Sequence, residues 1–116
     1  MTNEMFSAQE YGDVLVISIQ LSSFDLRNSK EFRSEAYKAM ENHLKVVLDL
    51  REVKFMDSSA LGTLISLLRA SNTRGGELKL CAAQNAVQVL FELTRLYRVY
   101  SLFPDVDSAV ASYATA

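Results

Sequence analysis

Tryptophan is absent, and proline, cysteine and histidine each occur once, at Pro104, Cys81 and His43, in a chain of 116 residues. A single cysteine excludes an intrachain disulfide and any metal site built on several thiolates. With one histidine beside it, catalytic triads and zinc sites lack most of their parts. Four glycines, none grouped as a phosphate loop requires, leave no nucleotide cradle. No linker, repeat or low-complexity stretch breaks the chain, so residues 1–116 read as one domain. No apolar run approaches the ~20 residues of a membrane span. The start, Met-Thr-Asn-Glu-Met-Phe-Ser, has no cationic region leading into an apolar one, so no signal peptide is expected and a cytoplasmic location is. Lys and Arg number 12 against 14 Asp and Glu, and they are scattered. That leaves no basic patch for nucleic acid. No cofactor, metal site or catalytic residue is expected.

What is present is an alternation of strand and helix signals. Asp13 to Leu21 is mostly apolar and β-branched, which predicts a strand with a buried face. Met5 to Glu10, across the turn Tyr11-Gly12-Asp13, predicts a short antiparallel partner. Asn28 with Glu31 marks a helix start, and Phe32, Ala36 and Met40 carry its apolar stripe to about Asn42. Lys45 to Leu50 reads as a buried parallel strand. Asp57 opens a second helix, with Leu61, Leu64, Ile65 and Leu68 on one face and Gly75-Gly76 at its end. A strand over Glu77 to Cys81 follows, with Cys81 as a small buried hydrophobe. Then come a helix from Asn85 to about Leu93, a short strand from Arg98 to Leu102, and a helix capped by Asp105. Such alternation predicts an α/β domain: a mainly parallel sheet of four to five strands, an antiparallel N-terminal edge, and helices packed against it.

In sheets of this kind, sites gather where strands end and helices begin. Two loops qualify, Ser22-Ser23-Phe24-Asp25 and Phe55-Met56-Asp57-Ser58. A serine in the first turn of a helix is reachable from outside. A phosphate placed on it meets free N–H groups and the positive end of the helix dipole. It also adds about −1.5 to −2 charges to a surface carrying Asp25 and Asp57. Capping alone also explains an Asp-Ser-Ser helix start, and the residues by themselves leave both readings open.

The segment Leu48-Asp49-Leu50-Arg51-Glu52-Val53-Lys54-Phe55-Met56-Asp57-Ser58-Ser59-Ala60-Leu61-Gly62 resembles the signature of STAS domains, and most closely that of bacterial anti-anti-sigma factors. The similarity runs on through Arg74-Gly75-Gly76-Glu77-Leu78 and Val87 to Thr94, and ends in Phe103-Pro104-Asp105-Val106-Asp107-Ser108-Ala109. It covers roughly residues 12 to 113. The resemblance implies an anti-sigma factor antagonist with Ser58 as phosphoacceptor and Ser59 as the next candidate. It implies an anti-sigma factor that is also the serine kinase, using ATP, and a metal-dependent serine/threonine phosphatase that removes the mark. The unphosphorylated form would bind the anti-sigma factor and free the sigma factor. Three positions depart from the pattern. Ala60 and Arg95 stand where relatives often have glycine, and Leu21-Ser22-Ser23-Phe24-Asp25 lacks the usual glycine and leucine before the aspartate.

At about 100° per residue, Ser59, Thr63, Ser66 and Ala70 fall opposite the apolar face of the second helix. The expected partner surface is therefore Ser58, Ser59, Gly62, Thr63 and Ser66, with Asp25 and Asp57 at its rim. Three rival readings remain on the sequence. A receiver domain would use Asp49 but lacks the acidic pair that holds its magnesium. A non-switching STAS scaffold, or an accessory subunit of a stress-signalling or lipid-transport complex, would keep the fold and drop the switch. An enzyme lacks a nucleophile–base pair.

Overall fold

The computed structural model describes residues 4–98 and 100–114. Its elements are β1 (Phe6–Tyr11), β2 (Val14–Ile19), β3 (Ser23–Phe24), α1 (Ser29–Met40), β4 (Lys45–Asp49), β5 (Phe55–Met56), α2 (Ser58–Thr73), β6 (Glu77–Cys81), α3 (Asn85–Leu93), β7 (Ser101–Phe103) and α4 (Val106–Ser112). A 3₁₀ turn at Leu96–Arg98 precedes β7. The main sheet has five strands in the order β1-β2-β4-β6-β7. β1 pairs antiparallel with β2, and the other neighbours are parallel. This is the expected α/β architecture, edge included.

Alternation within β4 shows how the sheet is buried on both sides. Val46 and Leu48 face the large core with Phe24, Phe32, Leu64, Leu67 and Phe91. Val47 faces a smaller core with Val14, Val16, Cys81 and Ala109 of α4. So α1, α2 and α3 cover one face and α4 covers part of the other. Since β1 runs antiparallel, Phe6 lies opposite Ile19 and the start of the described chain sits at the C-terminal end of β2. α4 runs back the other way, so Tyr113 hydrogen-bonds to Val46 and Glu77 near the opposite end of the sheet.

Most boundaries agree with the periodicity, and three details do not. Asn28 precedes α1, but its side chain caps nothing there; it accepts from the Asp25 N–H at 3.0 Å and donates to the Ser23 carbonyl at 2.9 Å. The last strand is shifted to Ser101–Phe103 because the 3₁₀ turn occupies Leu96–Arg98; Val99, within the expected strand, lies outside the described residues. β3 and β5, two residues each and paired parallel, form a separate ladder that the sequence pattern did not announce.

Gly75, at φ +80°, ends α2 as expected. Gly76 is needed for a different reason: a Cβ there would sit 2.5 Å from the Leu44 carbonyl oxygen.

Candidate functional site

The β3–β5 ladder binds the two loops into one surface. Lys54 and Phe55 donate their N–H groups to the Ser22 carbonyl, at 2.8 and 3.1 Å, and Asp57 donates to the Phe24 carbonyl at 3.2 Å. The Asp57 carboxylate completes the connection. One oxygen accepts from the Ala60 N–H at 3.0 Å and caps α2. The other accepts from the Leu26 N–H at 3.0 Å, across the gap to the first loop. The Leu61 N–H closes the first helical turn on the Asp57 carbonyl at 3.1 Å.

Asp25 is built into the first loop in a similar way. Its carboxylate accepts from the Ser23 hydroxyl at 2.6 Å and from the Arg27 N–H, Nε and Nη2 at 3.0, 3.0 and 2.8 Å. The Arg27 side chain, and after it the Ser23 hydroxyl, hold the Asp25 carboxyl well below the usual carboxylate range. Asp25 is therefore a fixed negative charge whose cation is already supplied from its own loop.

Ser58, the first residue of α2, is exposed, and Ser59 is half-buried. A hydroxyl there faces outward next to the N–H groups that a helix leaves unpaired in its first turn. Along α2 the exposed residues are Ser58, Gly62, Arg69, Asn72 and Thr73, with Ser59, Ile65, Ser66 and Ala70 partly covered. Gly62 adds no side chain to this stripe, and a Cβ there would meet nothing within 4 Å. An approaching partner would meet bare backbone at that point.

Thr63 does not belong to this surface. It is only 5% exposed, and its hydroxyl donates to the Ser29 carbonyl of α1 at 3.3 Å. The face expected to be open is closed because α2 packs on two neighbours. Both α1 and β6 pack on α2, Thr63 reaches the Ser29 carbonyl of α1, and Thr63 and Leu67 are buried together with Leu64 and Leu68, which widens the buried arc. Ser66 lies at the border, with its carbonyl accepting from the Tyr37 hydroxyl of α1 at 3.4 Å. The structure thus brings Asp25, Asp57, Ser58, Ser59, Gly62 and Ser66 to one end and one stripe of the molecule, and leaves Thr63 beneath it.

Sequence reasoning also missed an apolar rim. Leu26 and Phe55 flank the joined loops and are 75% and 56% exposed, and Val89 and Leu93 of α3 stand out beside Phe55 around a shallow hollow of about 260 Å³. The signal was available in Phe55, a large apolar residue next to the helix cap, but nothing in its spacing says that it faces outward. No group of three or more metal-ligating side chains occurs among the described residues, and no helix among them is long and apolar enough to cross a membrane.

Comparison with known proteins gives a consistent answer. The family model described as "STAS domain" matches residues 5–109. The chain is similar to an anti-sigma F factor antagonist of Paenibacillus polymyxa, 24% identical over 110 residues that span 93% of each chain. Its fold is similar to that of an anti-sigma-factor antagonist (STAS) domain protein from Planctomyces limnophilus, with a TM-score of 0.87 at 20% identity over 95% of this chain and 98% of that one. It is also similar to the Bacillus cell fate determinant SpoIIAA in its phosphorylated form, with a TM-score of 0.70 at 15% identity over 93% and 98% of the two chains.

Proposed function

This chain belongs to the STAS domain family, and we propose that it works as an anti-sigma factor antagonist switched by phosphorylation of Ser58. The observation that carries the reading is the exposed Ser58 hydroxyl at the start of α2, beside an Asp57 already committed to capping. Similarity to an anti-sigma F factor antagonist, and in fold to a Bacillus cell fate determinant solved in a phosphorylated form, supports it.

In this reading the neutral form docks an anti-sigma factor through Ser58, Ser59, Gly62 and Ser66, with Asp25 and Asp57 at the rim, and so releases a sigma factor. The anti-sigma factor is also a serine kinase. The Ser58 oxygen attacks the γ-phosphorus of its ATP, the bond to ADP breaks, and the hydroxyl proton passes to a base on the kinase. That base and the magnesium belong to the kinase, because Asp57 has both oxygens occupied by backbone N–H groups. The new phosphate adds about −1.5 to −2 charges next to the Asp57 and Asp25 carboxylates. It is tolerated by the helix N-terminus but opposes a partner surface fitted to a neutral hydroxyl. A serine/threonine phosphatase would hydrolyse the ester and restore binding. In this reading the whole cycle runs in the cytoplasm.

Incubation with candidate kinases and ATP, followed by phosphopeptide mapping, should place a single phosphate on Ser58. With the cognate partner, Ser58→Ala should retain binding and block phosphorylation, whereas Ser58→Asp should weaken binding at least tenfold, about 1.4 kcal/mol. Circular dichroism should show both variants folded. Equal affinity of the two for a partner that leaves no phosphate would overturn the switch and favour a non-switching scaffold.

A further inference from the structure

α3 carries two apolar stripes where a surface helix needs one. Val87 and Phe91 are buried in the large core, and Leu90 packs against it. Ala86, Val89 and Leu93, at i, i+3 and i+7, form a second stripe that faces solvent. Helix building does not call for it. The outer side of a surface helix normally carries polar residues, and valine is a poorer helix former than lysine or glutamate.

The second stripe meets β5. Phe55 and Met56 complete the shallow hollow of about 260 Å³ with Ala86, Val89, Leu90 and Leu93. Tyrosines aside, six large apolar residues among the described ones are exposed, and four of them, Leu26, Phe55, Val89 and Leu93, stand on or beside the joined loops. The other two lie elsewhere: Leu44 precedes β4 at the far end of the sheet, and Leu102 is in the edge strand β7.

Size and lining define the occupant. The hollow is shallow and smaller than the roughly 300–1,000 Å³ of small-molecule sites, so it suits a protein side chain better than a metabolite. No charged residue lines it, so that side chain is apolar. Four part-exposed side chains fall well short of the roughly 800 Å² per partner of a stable interface, so the patch serves only as one part of a wider surface. The adjoining surface is that of the phosphoacceptor. Phe55 stands three residues before Ser58. The Phe55 N–H is held by the Ser22 carbonyl at 3.1 Å, and the Leu26 N–H by the Asp57 carboxylate at 3.0 Å. The bonds that join the two loops therefore also fix the apolar rim relative to the start of α2.

We infer that the kinase that modifies Ser58 seats an apolar side chain, of leucine, methionine or phenylalanine size, in this hollow, and so docks on β5 and α3 as well as on α2. The inference rests on the reading of Ser58 as phosphoacceptor. A seated apolar side chain anchors the complex and takes no part in phosphoryl transfer. It holds ground state and transition state alike, so it sets KM for the chain and leaves kcat.

Steady-state phosphorylation of the full chain by the kinase that marks Ser58, at saturating ATP, tests this. The double variant Val89→Lys, Leu93→Lys should raise KM about tenfold, as loss of one interface anchor does, with kcat unchanged. Leu93→Ala, which removes apolar contact and adds no charge, should raise KM by a smaller factor. Leu44→Lys, at the far end, should change neither. Lysine and alanine are good helix formers and both α3 positions are exposed, so circular dichroism should show the α3 variants folded. Should the double variant misfold, Leu93→Ala decides the matter alone. Unchanged KM in the α3 variants, with Ser58 still phosphorylated, would overturn the inference and leave the switch standing. No phosphate on Ser58 with any candidate kinase would overturn the switch and the inference with it. Sedimentation velocity should show the free chain as a monomer. A dimer, or binding to phosphatidylglycerol–phosphatidylcholine vesicles, that the double variant abolishes would assign the patch to a second copy or to a lipid surface and overturn the inference.

Discussion

Asp57 is the residue on which the site turns, because its two oxygens serve two different segments. Replacing it with alanine removes the α2 cap and the hold on the Leu26 N–H together. We expect Asp57→Ala to cost about 1–2 kcal/mol in urea unfolding, and Asp57→Asn, which keeps one acceptor, to cost less. Asp25 yields a pH prediction. Its carboxyl is depressed in the folded protein, chiefly by the Arg27 side chain. A depressed acid contributes stability above its unfolded value, near pH 4, and loses that contribution only as pH falls through the lower folded value. The amides of residues 23–28 should therefore keep their native NMR shifts through about pH 4 and change only in stronger acid. Some of this was legible residue by residue. The Asp57 cap is an acidic residue at the start of a helical pattern. The Asp57 link to Leu26 was not legible, since it spans 31 positions and local spacing carries no information at that range.

At the scale of the element, α2 shows where periodicity succeeds and where it stops. Its start, its glycine end and the burial of Leu61, Leu64 and Leu68 follow from one apolar stripe. A stripe tells which residues prefer the interior but not how many neighbours the helix has. With α1 as a second wall, Thr63 goes in, while Ile65 stays partly exposed. Thr63→Arg would force a guanidinium between α1 and α2. It should destabilise the fold by about 3 kcal/mol or more, as an unpaired buried charge does, so it reports on folding and not on docking. Ser66→Arg, at the border, is the informative docking probe: it should lower the rate of Ser58 phosphorylation while thermal unfolding barely changes. Leu64→Ala should cost roughly 2–5 kcal/mol. Gly62→Ala has the opposite sign. The position is helical and open, so alanine should stabilise by about 0.5–1 kcal/mol in urea unfolding, yet weaken partner binding if the partner's surface reaches the bare backbone there. The β3–β5 ladder escaped the sequence because two-residue strands have no period to detect.

Over the whole molecule, the alternation of strands and helices sufficed for the fold, whereas the hollow around Phe55, Val89 and Leu93 did not show, because a space between elements leaves no periodic trace. The large core holds three helices against one face, and the other face depends on α4 alone. That seven-residue helix is held by Lys79, whose ammonium donates to the Ser112 hydroxyl at 2.6 Å and lies 3.9 Å from the centre of the Tyr113 ring. Lys79→Ala should cost about 1–2 kcal/mol and speed hydrogen exchange across residues 106–112 more than in β2 or β4. The direction of β1 bears on how any of this is measured. Because β1 runs against β2, its one neighbour in the sheet, Met5 emerges beside Gln20, whose N–H its carbonyl accepts at 2.7 Å, at the end of the molecule that carries Ser58. α4 delivers Tyr113 to the far end. A fluorophore or sensor-chip linkage attached at Glu4 would sit at the end of the molecule that carries the phosphoacceptor and imitate a docking defect, whereas the same attachment at Ala114 leaves that surface facing the solution.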